Sequence, residues 1–272
     1  MNVTNPKDYW ELLHRKSYGL TSVGYIGVGR PFNAWMYRVR RRVFRDTMQA
    51  FITEQDPEIL DIGSGTGFYL DRWRELGFRR ISGTDVSEVA VERLRERYPS
   101  LEIAQLDISE EPVGPSRQFD VVSIIDVLFH ITSDRSYVRA LRNLAELVRP
   151  GGILVLTENF LHQAGPKEDH QVNRSLAEIT SILGNVGFEP LARRPMFVLM
   201  NYPVDSTSRL HRFCWRTLVL AMAAWNPLGA VVGAILYPLE LLLVARLKEG
   251  PSTELMVCRR LPDHMPLPNE DP

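Results

Sequence analysis

The chain has 272 residues, and 44% of them are apolar, which gives enough material for a sizeable core in one large domain. Its formal net charge is −1, so it lacks the broad positive charge that binding to DNA or RNA usually requires. The two cysteines, Cys214 and Cys258, are far apart in the sequence, and this spacing predicts neither a disulfide framework nor a zinc site.

The first ten residues include Asn, Thr, Lys and Asp, whereas a signal peptide needs a basic end followed by an apolar run. We therefore expect a cytoplasmic protein with reduced thiols. Helices are predicted over 8–15 and from Pro31 to about residue 53, and both should pack over the carboxyl edge of a sheet or over its flank. Four aromatic side chains could form a lid there, with ordinary packing as the alternative: Tyr9, Trp10, Tyr18 and Tyr25.

From about residue 58 to residue 156, short β-branched apolar runs alternate with amphipathic stretches. This alternation predicts βαβ units that build a parallel sheet. Helices are expected over 69–76, 89–97 and 135–147, and the last one ends at the stop signal Pro150-Gly151-Gly152. The five predicted strands are centred near Ile59, Ile81, Ile103, Val121 and Leu154.

After this core, the sequence predicts a helix over 173–183, a strand over 188–200 and a last strand over 253–259. The segment 218–245, between the last two strands, is almost continuously apolar. It is long enough to cross a membrane, but the strands on either side of it should share one sheet, which argues against a single crossing. We rank three alternatives: a helical pair packed on its own domain, an interface with a second subunit, and a monotopic surface in lipid.

Residues 61–67 read Asp-Ile-Gly-Ser-Gly-Thr-Gly, directly after the first predicted strand and before a helix. Glycine permits positive φ and lets a ligand approach the bare backbone. A dinucleotide-binding loop needs its third glycine at position 68, where this chain has Phe68, and Asp61 would repel a pyrophosphate. These departures disfavour an NAD-dependent dehydrogenase. The Asp61 carboxylate beside the loop suits an ammonium group instead.

Acidic residues also end the second and third predicted strands. Asp85 suits the two hydroxyls of a ribose, whereas Asp107 and Ile108 suit an adenine amino group and the face of its ring. The carboxyl ends of strands in an open α/β sheet border one crevice, so we expect these groups to meet there.

These motifs, in this order and spacing, resemble those of class I S-adenosylmethionine-dependent methyltransferases. The resemblance covers roughly residues 58–160, including 119–122 and 147–152, and 187–189 is similar to the turn into the sixth strand. It implies a Rossmann-like α/β fold with seven strands, mostly parallel with an antiparallel last strand, N-terminal helices and a helical insertion between strands six and seven.

By this resemblance, the glycine loop passes under the methionine part of S-adenosylmethionine, and the strand-end carboxylates frame the ribose and the adenine. The predicted cofactor-binding residues are Asp61, Gly63, Ser64, Gly65, Gly67, Asp85, Val86, Asp107, Ile108 and Asp126.

His130 follows the fourth strand, where similar methyltransferases present the acceptor, and it is the predicted catalytic base. A neutral imidazole can take a proton from a hydroxyl or an ammonium as the methyl group is transferred. Alignment and exclusion of water could also suffice without a base. We expect no metal site, because the nearest candidate ligands lie in a loop with irregular spacing: His162, Glu168, Asp169 and His170.

The second predicted helix carries a positive stripe made of Arg38, Arg42 and Arg45, with Arg40 and Arg41 beside it. A solvated surface is one interpretation of this stripe. The others are a contact with the cofactor's carboxylate, with an anionic acceptor or with a membrane surface.

We thus predict an N-terminal helical cap (1–56), a cofactor-binding core (57–204), an apolar helical insertion (205–250), the last core strand (251–262) and a flexible tail (263–272). The predicted function is methyl transfer from S-adenosylmethionine to a small apolar or amphiphilic molecule, with oxygen favoured as the acceptor atom and nitrogen or carbon as alternatives, and with S-adenosylhomocysteine as product. A homodimer or peripheral membrane contact through 218–245 is an alternative to packing of that segment on its own domain. Methylation of protein or nucleic acid, and a non-catalytic binding module or membrane-associated partner protein, are the alternatives.

Overall fold

The computed structural model describes residues 6–19, 24–110, 117–163, 165 and 171–262. Seven strands form one sheet in the order β3-β2-β1-β4-β5-β7-β6. The first five strands are mutually parallel, and β7 runs antiparallel to both β5 and β6. This arrangement confirms the predicted fold class. The strands are β1 Ile59–Ile62, β2 Ile81–Asp85, β3 Glu102–Gln105, β4 Phe119–Ile124, β5 Val148–Glu158, β6 Phe188–Pro195 and β7 Glu254–Arg260.

Eight α-helices flank this sheet in the described part of the chain. They are α1 Pro6–Lys16, α2 Gly29–Phe51, α3 Phe68–Glu75, α4 Glu88–Arg97, α5 Asp134–Leu147, α6 Leu176–Asn185, α7 Arg209–Ala224 and α8 Leu228–Arg246. Short 3₁₀ turns precede α2 and α5, at Ile26–Val28 and Leu128–His130. Strands β1 to β5 and helices α1 to α5 lie close to their predicted positions.

Apolar side chains form a separate core on each face of the sheet. One core joins α2, α3 and α4 with the insertion, and it includes Phe44 and Trp73, both fully buried. The other lies under α5 and α6 and includes Leu141 and Leu183. Both faces of the parallel strands are therefore covered, as a continuously apolar strand pattern requires.

The sixth strand is shorter than the predicted 188–200, which corrects that prediction. It ends at Pro195, and the backbone N–H groups of Val198 and Leu199 donate to the carboxylate of Glu240 on α8, each at 2.8 Å. A buried carboxylate from the insertion thus replaces a neighbouring strand as the acceptor for these donors. The sequence pattern of apolar residues alone could not reveal that exchange.

The predicted helix over 173–183 also begins and ends later than expected. The Ser175 side chain accepts a hydrogen bond from the backbone N–H of Glu178 and caps the helix, so α6 starts at Leu176. Gly184, predicted as the stop, lies within the last turn. The predicted flexible tail at 263–272 lies outside the described residues.

Candidate functional site

A cavity of about 1000 Å³ opens at the carboxyl edge of the sheet. Its wall includes a residue at or just beyond the end of each of the five parallel strands: Ile62, Asp85, Leu106, Ile125 and Asn159. Drug-sized ligands occupy pockets of about 300–1,000 Å³, so this volume is at the upper end of that range. Such an edge is where open α/β sheets bind ligands.

The glycine loop forms the floor beside β1. Gly63, Gly65 and Gly67 have φ angles of 72°, 54° and 82°, a region that favours glycine. A Cβ on Gly63 would lie 2.3 Å from Cγ2 of Val127, so the close approach itself excludes any side chain there. Gly63, Ser64 and Gly65 line the cavity, whereas Gly67 packs under Tyr98 and does not reach its wall.

Asp85 fixes the loop and borders the cavity at the end of β2. Its Oδ2 accepts the backbone N–H of Gly65 at 2.8 Å, and its Oδ1 accepts that of Ser87 at 2.9 Å. Burial raises the pKa of this carboxyl above its ordinary value, and these two hydrogen bonds oppose that shift. Asp85 is thus both a predicted ligand and a brace for the loop.

Three further predicted cofactor residues, Val86, Asp107 and Ile108, line the same cavity. Oδ1 of Asp107 accepts hydrogen bonds from the backbone N–H and the hydroxyl of Ser109, at 2.9 and 2.7 Å. These bonds orient the carboxylate at the start of the loop that follows β3.

Asp61 is placed differently from the prediction. Its side chain is buried beneath the loop, where Oδ1 accepts the hydroxyl of Ser123 at 2.6 Å, and it does not line the cavity. Burial raises the pKa of this carboxyl to about 6. Oδ2 has no hydrogen-bond partner among the described residues. The geometry therefore favours a support for the loop over direct contact with an ammonium group.

Helix α1, which carries two of the aromatic residues considered for a lid, lines the cavity. Glu11 anchors α1 to the start of α4, because its Oε2 accepts the hydroxyl of Ser87 at 2.7 Å. The hydroxyl of Tyr18 donates to the carbonyl of Gly65 at 2.8 Å, which ties the segment after α1 to the glycine loop. Trp10 lies on the cavity wall.

His14 of α1 was not among the predicted site residues. Its ring lies in the cavity wall, only 4% of the residue is exposed, and neither ring nitrogen has a hydrogen-bond partner in the described structure. Burial lowers the pKa of the imidazole, while the nearby Asp85 opposes that shift. A buried imidazole with both nitrogens unsatisfied is costly, so a polar ligand atom is the expected partner.

Asp126 and Arg40 form an ion pair in the cavity wall. Asp126 has a φ of 60°, and its backbone N–H donates to the hydroxyl of Thr157 at 2.7 Å. Its Oδ2 lies 2.5 Å from Nη1 of Arg40, whose side chain is only 14% exposed. Both residues line the cavity.

The other arginines of the predicted stripe do not line the cavity. Arg41 pairs with Glu75, and Arg42 and Arg45 pair with Asp46. Arg38 lies over the ring of Trp35 at 4.0 Å. The stripe is therefore largely neutralised surface, and Arg40 is its member at the site.

His130 lies in the 3₁₀ turn Leu128–His130 and lines the cavity. Its ring centroid is 5.0 Å from that of Trp10 and 4.5 Å from that of Phe129. The lid and the loop after β4 thus meet at the predicted base.

Beyond β5, uncharged polar side chains form a network that the sequence analysis did not identify. Asn159 donates to Asn173 at 2.5 Å and accepts the hydroxyl of Thr253 at 3.0 Å, while Asn201 donates to that hydroxyl at 3.3 Å. All four line the cavity. They come from four separate segments, so no local sequence signal could have grouped them.

The loop considered for a metal is only partly described. His162 is exposed, and its Nδ1 contacts the Asp205 carboxylate, which raises the pKa of the imidazole. Glu168, Asp169 and His170 lie outside the described residues. His162 does not line the cavity.

Comparison with known proteins relates part of this chain to methyltransferases. Residues 59–152 match a family model described as a methyltransferase domain. A protein of Mycolicibacterium smegmatis, named as a probable S-adenosylmethionine-dependent methyltransferase, is 30% identical over 138 residues, which are 48% of this chain and 52% of that protein. The chain thus spans about half the length of that relative.

A second relative extends over a similar part of the chain. The ubiquinone biosynthesis O-methyltransferase of Dinoroseobacter shibae is 28% identical over 51% of this chain and 62% of its own length. Among solved structures, a S-adenosylmethionine-dependent methyltransferase from Clostridium acetobutylicum aligns with a TM-score of 0.54 at 11% identity, covering 83% of this chain and 92% of that one. This last similarity shows the fold.

Proposed function

We propose that this chain is a class I, S-adenosylmethionine-dependent methyltransferase and that it transfers a methyl group to an oxygen of a small amphiphilic molecule. The main support for this proposal is the glycine loop, which Asp85 holds at the edge of a cavity large enough for cofactor and acceptor together.

The described residues fit the cofactor group by group. The bare backbone at Gly65 leaves space that a Cβ would occupy, and Asp85 with the unsatisfied ring of His14 offers acceptor and donor atoms for a ribose diol. We assign the adenine to Asp107 and Ile108. The zwitterionic amino-acid end complements the Arg40–Asp126 pair, since each charge meets its opposite.

When bound, the cofactor supplies an electrophilic sulfonium methyl group. In this proposal, α1 and its aromatic side chains exclude water from that group, which strengthens electrostatic interactions inside the cavity. His130 accepts the proton of the acceptor hydroxyl at a ring nitrogen. The network around Asn159 and Asn201 binds the polar part of the acceptor.

Two observations support an amphiphilic acceptor. The cavity wall includes the apolar residues Phe129 and Ile131 on either side of His130, and it also includes the uncharged amides of Asn159, Asn173 and Asn201. Among the relatives, one is named for O-methylation in ubiquinone biosynthesis. An acceptor with one oxygen-bearing polar end and an apolar body matches both kinds of wall.

The test is transfer of a labelled methyl group. The full chain is incubated with S-adenosylmethionine labelled in its methyl group and, in separate reactions, with amphiphilic phenols and alcohols, water-soluble amines, transfer RNA and unfolded protein. Label in the amphiphilic hydroxyl compounds is the expected result. Label in RNA or protein instead would overturn the acceptor class, and cofactor binding without transfer to any class would favour a non-catalytic binding module.

The role of His130 is tested in the same assay. His130→Ala should lower turnover by roughly 10²–10⁴-fold, the usual contribution of a general base, and His130→Asn is the more conservative companion. Unchanged turnover in both variants, with unchanged cofactor affinity, would remove His130 from the chemistry.

A further inference from the structure

The outer surface of the insertion carries more exposed apolar area than its own domain covers. On α7, Leu210, Phe213 and Leu220 are 71%, 66% and 71% exposed. On α8, exposed side chains at 230, 231, 234, 235, 238, 239, 242 and 245 are all apolar. We call this the outer face of α7 and α8. Apolar patches of this kind mark sites of interaction.

The inner face of α8 is already committed to the protein. A Cβ on Gly233 would lie 2.2 Å from the ring of Trp35, and one on Gly229 would lie 3.1 Å from Phe32, so α8 lies directly against α2. The Glu240 carboxylate accepts backbone N–H groups from the segment after β6. In the described part of the chain, no element packs against the outer face.

Helix α8 is long and apolar enough to cross a membrane, and only 17% of its apolar stretch is buried within the protein. A single crossing conflicts with the sheet, because β6 and β7, which flank the insertion, are hydrogen-bonded neighbours. Crossing would also detach α8 from α2 and remove the acceptor from the backbone donors near Leu199. A partner must therefore lie against the outer face while the helix stays on the domain.

The charges of α7 indicate which partner that is. Arg209, Arg212 and Arg216 follow a spacing of three and four residues, so they form a stripe along the helix next to the stripe of Leu210, Phe213 and Leu220. Within the described part of the chain, none of these arginines has an ion-pair partner. The combination of an apolar stripe and an adjacent cationic stripe is typical of helices that lie in a lipid interface.

A second copy of the chain fits this surface less well. A two-fold contact uses the same patch on both partners, so it would bring one arginine stripe to a surface that carries another. Acidic headgroups neutralise the stripe instead, and lipid chains cover the apolar side chains. Trp225, 60% exposed between the two helices, has the amphipathic ring that favours a membrane interface.

We propose that the outer face of α7 and α8 docks on an anionic lipid bilayer as a monotopic surface. Helix α7 also backs the cavity wall, because Trp215 packs against Tyr25 with ring centroids 5.9 Å apart, and Tyr25 lines the cavity. The docked protein thus holds its cavity close to the membrane. Docking follows from the exposed side chains of α7 and α8 and does not require methyl transfer.

The experiment is co-sedimentation of the full chain with vesicles of phosphatidylcholine mixed with phosphatidylglycerol, and with vesicles of phosphatidylcholine alone. Binding to the anionic vesicles, weakened by salt, is the expected result. Replacing Arg209, Arg212 and Arg216 by Gln should weaken it by about 100-fold, given the contribution of each cation near a membrane surface. The matched control replaces the ion-paired Arg41, Arg42 and Arg45 by Gln. It loses the same number of positive charges and should bind the vesicles as the parent does.

The apolar part is tested by Ile235→Glu, at a position 68% exposed, against Leu12→Glu on α1, at a position 48% exposed. The first should abolish sedimentation with vesicles and the second should not, while circular dichroism shows that both stay folded. No binding to anionic vesicles would overturn the proposal. A concentration-dependent dimer in light scattering that Ile235→Glu dissociates, without vesicle binding, would assign the face to a second copy instead.

Discussion

The glycine loop gives the sharpest quantitative prediction, because two glycines with positive φ differ in where an added methyl group would lie. At Gly65, with φ 54°, the nearest atom to a new Cβ is the carbonyl oxygen of Gly63 at 3.9 Å, and the residue lines the cavity. At Gly77, with φ 95°, no atom lies within 4 Å, and the residue is not part of the cavity wall. Gly77→Ala is thus a matched control for Gly65→Ala.

Both substitutions place an L-residue in a left-handed conformation, which costs about 1–2 kcal/mol each. Urea denaturation should therefore show similar losses of stability in the two variants. Only Gly65→Ala adds a methyl group inside the proposed cofactor site, where crowding costs about 1–3 kcal/mol. Calorimetric titration with S-adenosylmethionine should show about 5- to 150-fold weaker binding for Gly65→Ala, and parental affinity for Gly77→Ala.

Unchanged affinity of Gly65→Ala for S-adenosylmethionine would show that the cofactor does not lie against Gly65. An equal loss of affinity in both variants would also contradict the prediction, because backbone strain rather than the added methyl group would then control binding.

Three further predictions concern buried polar groups. Burial raises the pKa of Glu158 to about 8 from an ordinary 4.5, so between these pH values the folded state keeps a proton that the unfolded state releases. The free energy of unfolding should therefore fall as pH rises through this range, by at most about 1.4 kcal/mol per pH unit. Glu158→Gln should flatten that fall in urea denaturation, and an unchanged slope would show that Glu158 does not cause it. His14→Phe keeps an aromatic ring but removes both unsatisfied ring nitrogens, so it should weaken S-adenosylmethionine binding about tenfold in calorimetry without lowering stability, and unchanged affinity would contradict the assigned contact. Arg40→Met leaves Asp126 unpaired and should cost about 1–3 kcal/mol of stability, which Asp126→Asn in the same chain should largely restore; additive losses would show that the pair is not coupled.

Most of the fold could be predicted because it depends on local pattern. The strand from Ile59 and the helix up to Leu147 follow from apolar periodicity and stop signals, and the loop at 61–67 follows from its glycines. The end of β6 could not be predicted, since it depends on Glu240, which is distant in sequence and supplies the acceptor for donors near Leu199.

The site could be predicted only where its residues sit at strand ends. Asp85 and Asp126 belong to that class, and the structure places both at the cavity. His14 and Asn201 do not, because their place in the wall depends on how the lid and the segment after β6 fold over the sheet. Asp61 shows the opposite error: its position beside the loop suggested a ligand, but its side chain points into the core toward Ser123.

Calorimetric titration of the full chain with S-adenosylmethionine and, separately, with NAD tests cofactor binding at this site most sharply, with Asp85→Ala as the variant. Saturable binding of S-adenosylmethionine alone, weakened by the substitution, is the predicted result. Binding of NAD in place of S-adenosylmethionine, or of neither, would show that this cavity is not a site for S-adenosylmethionine.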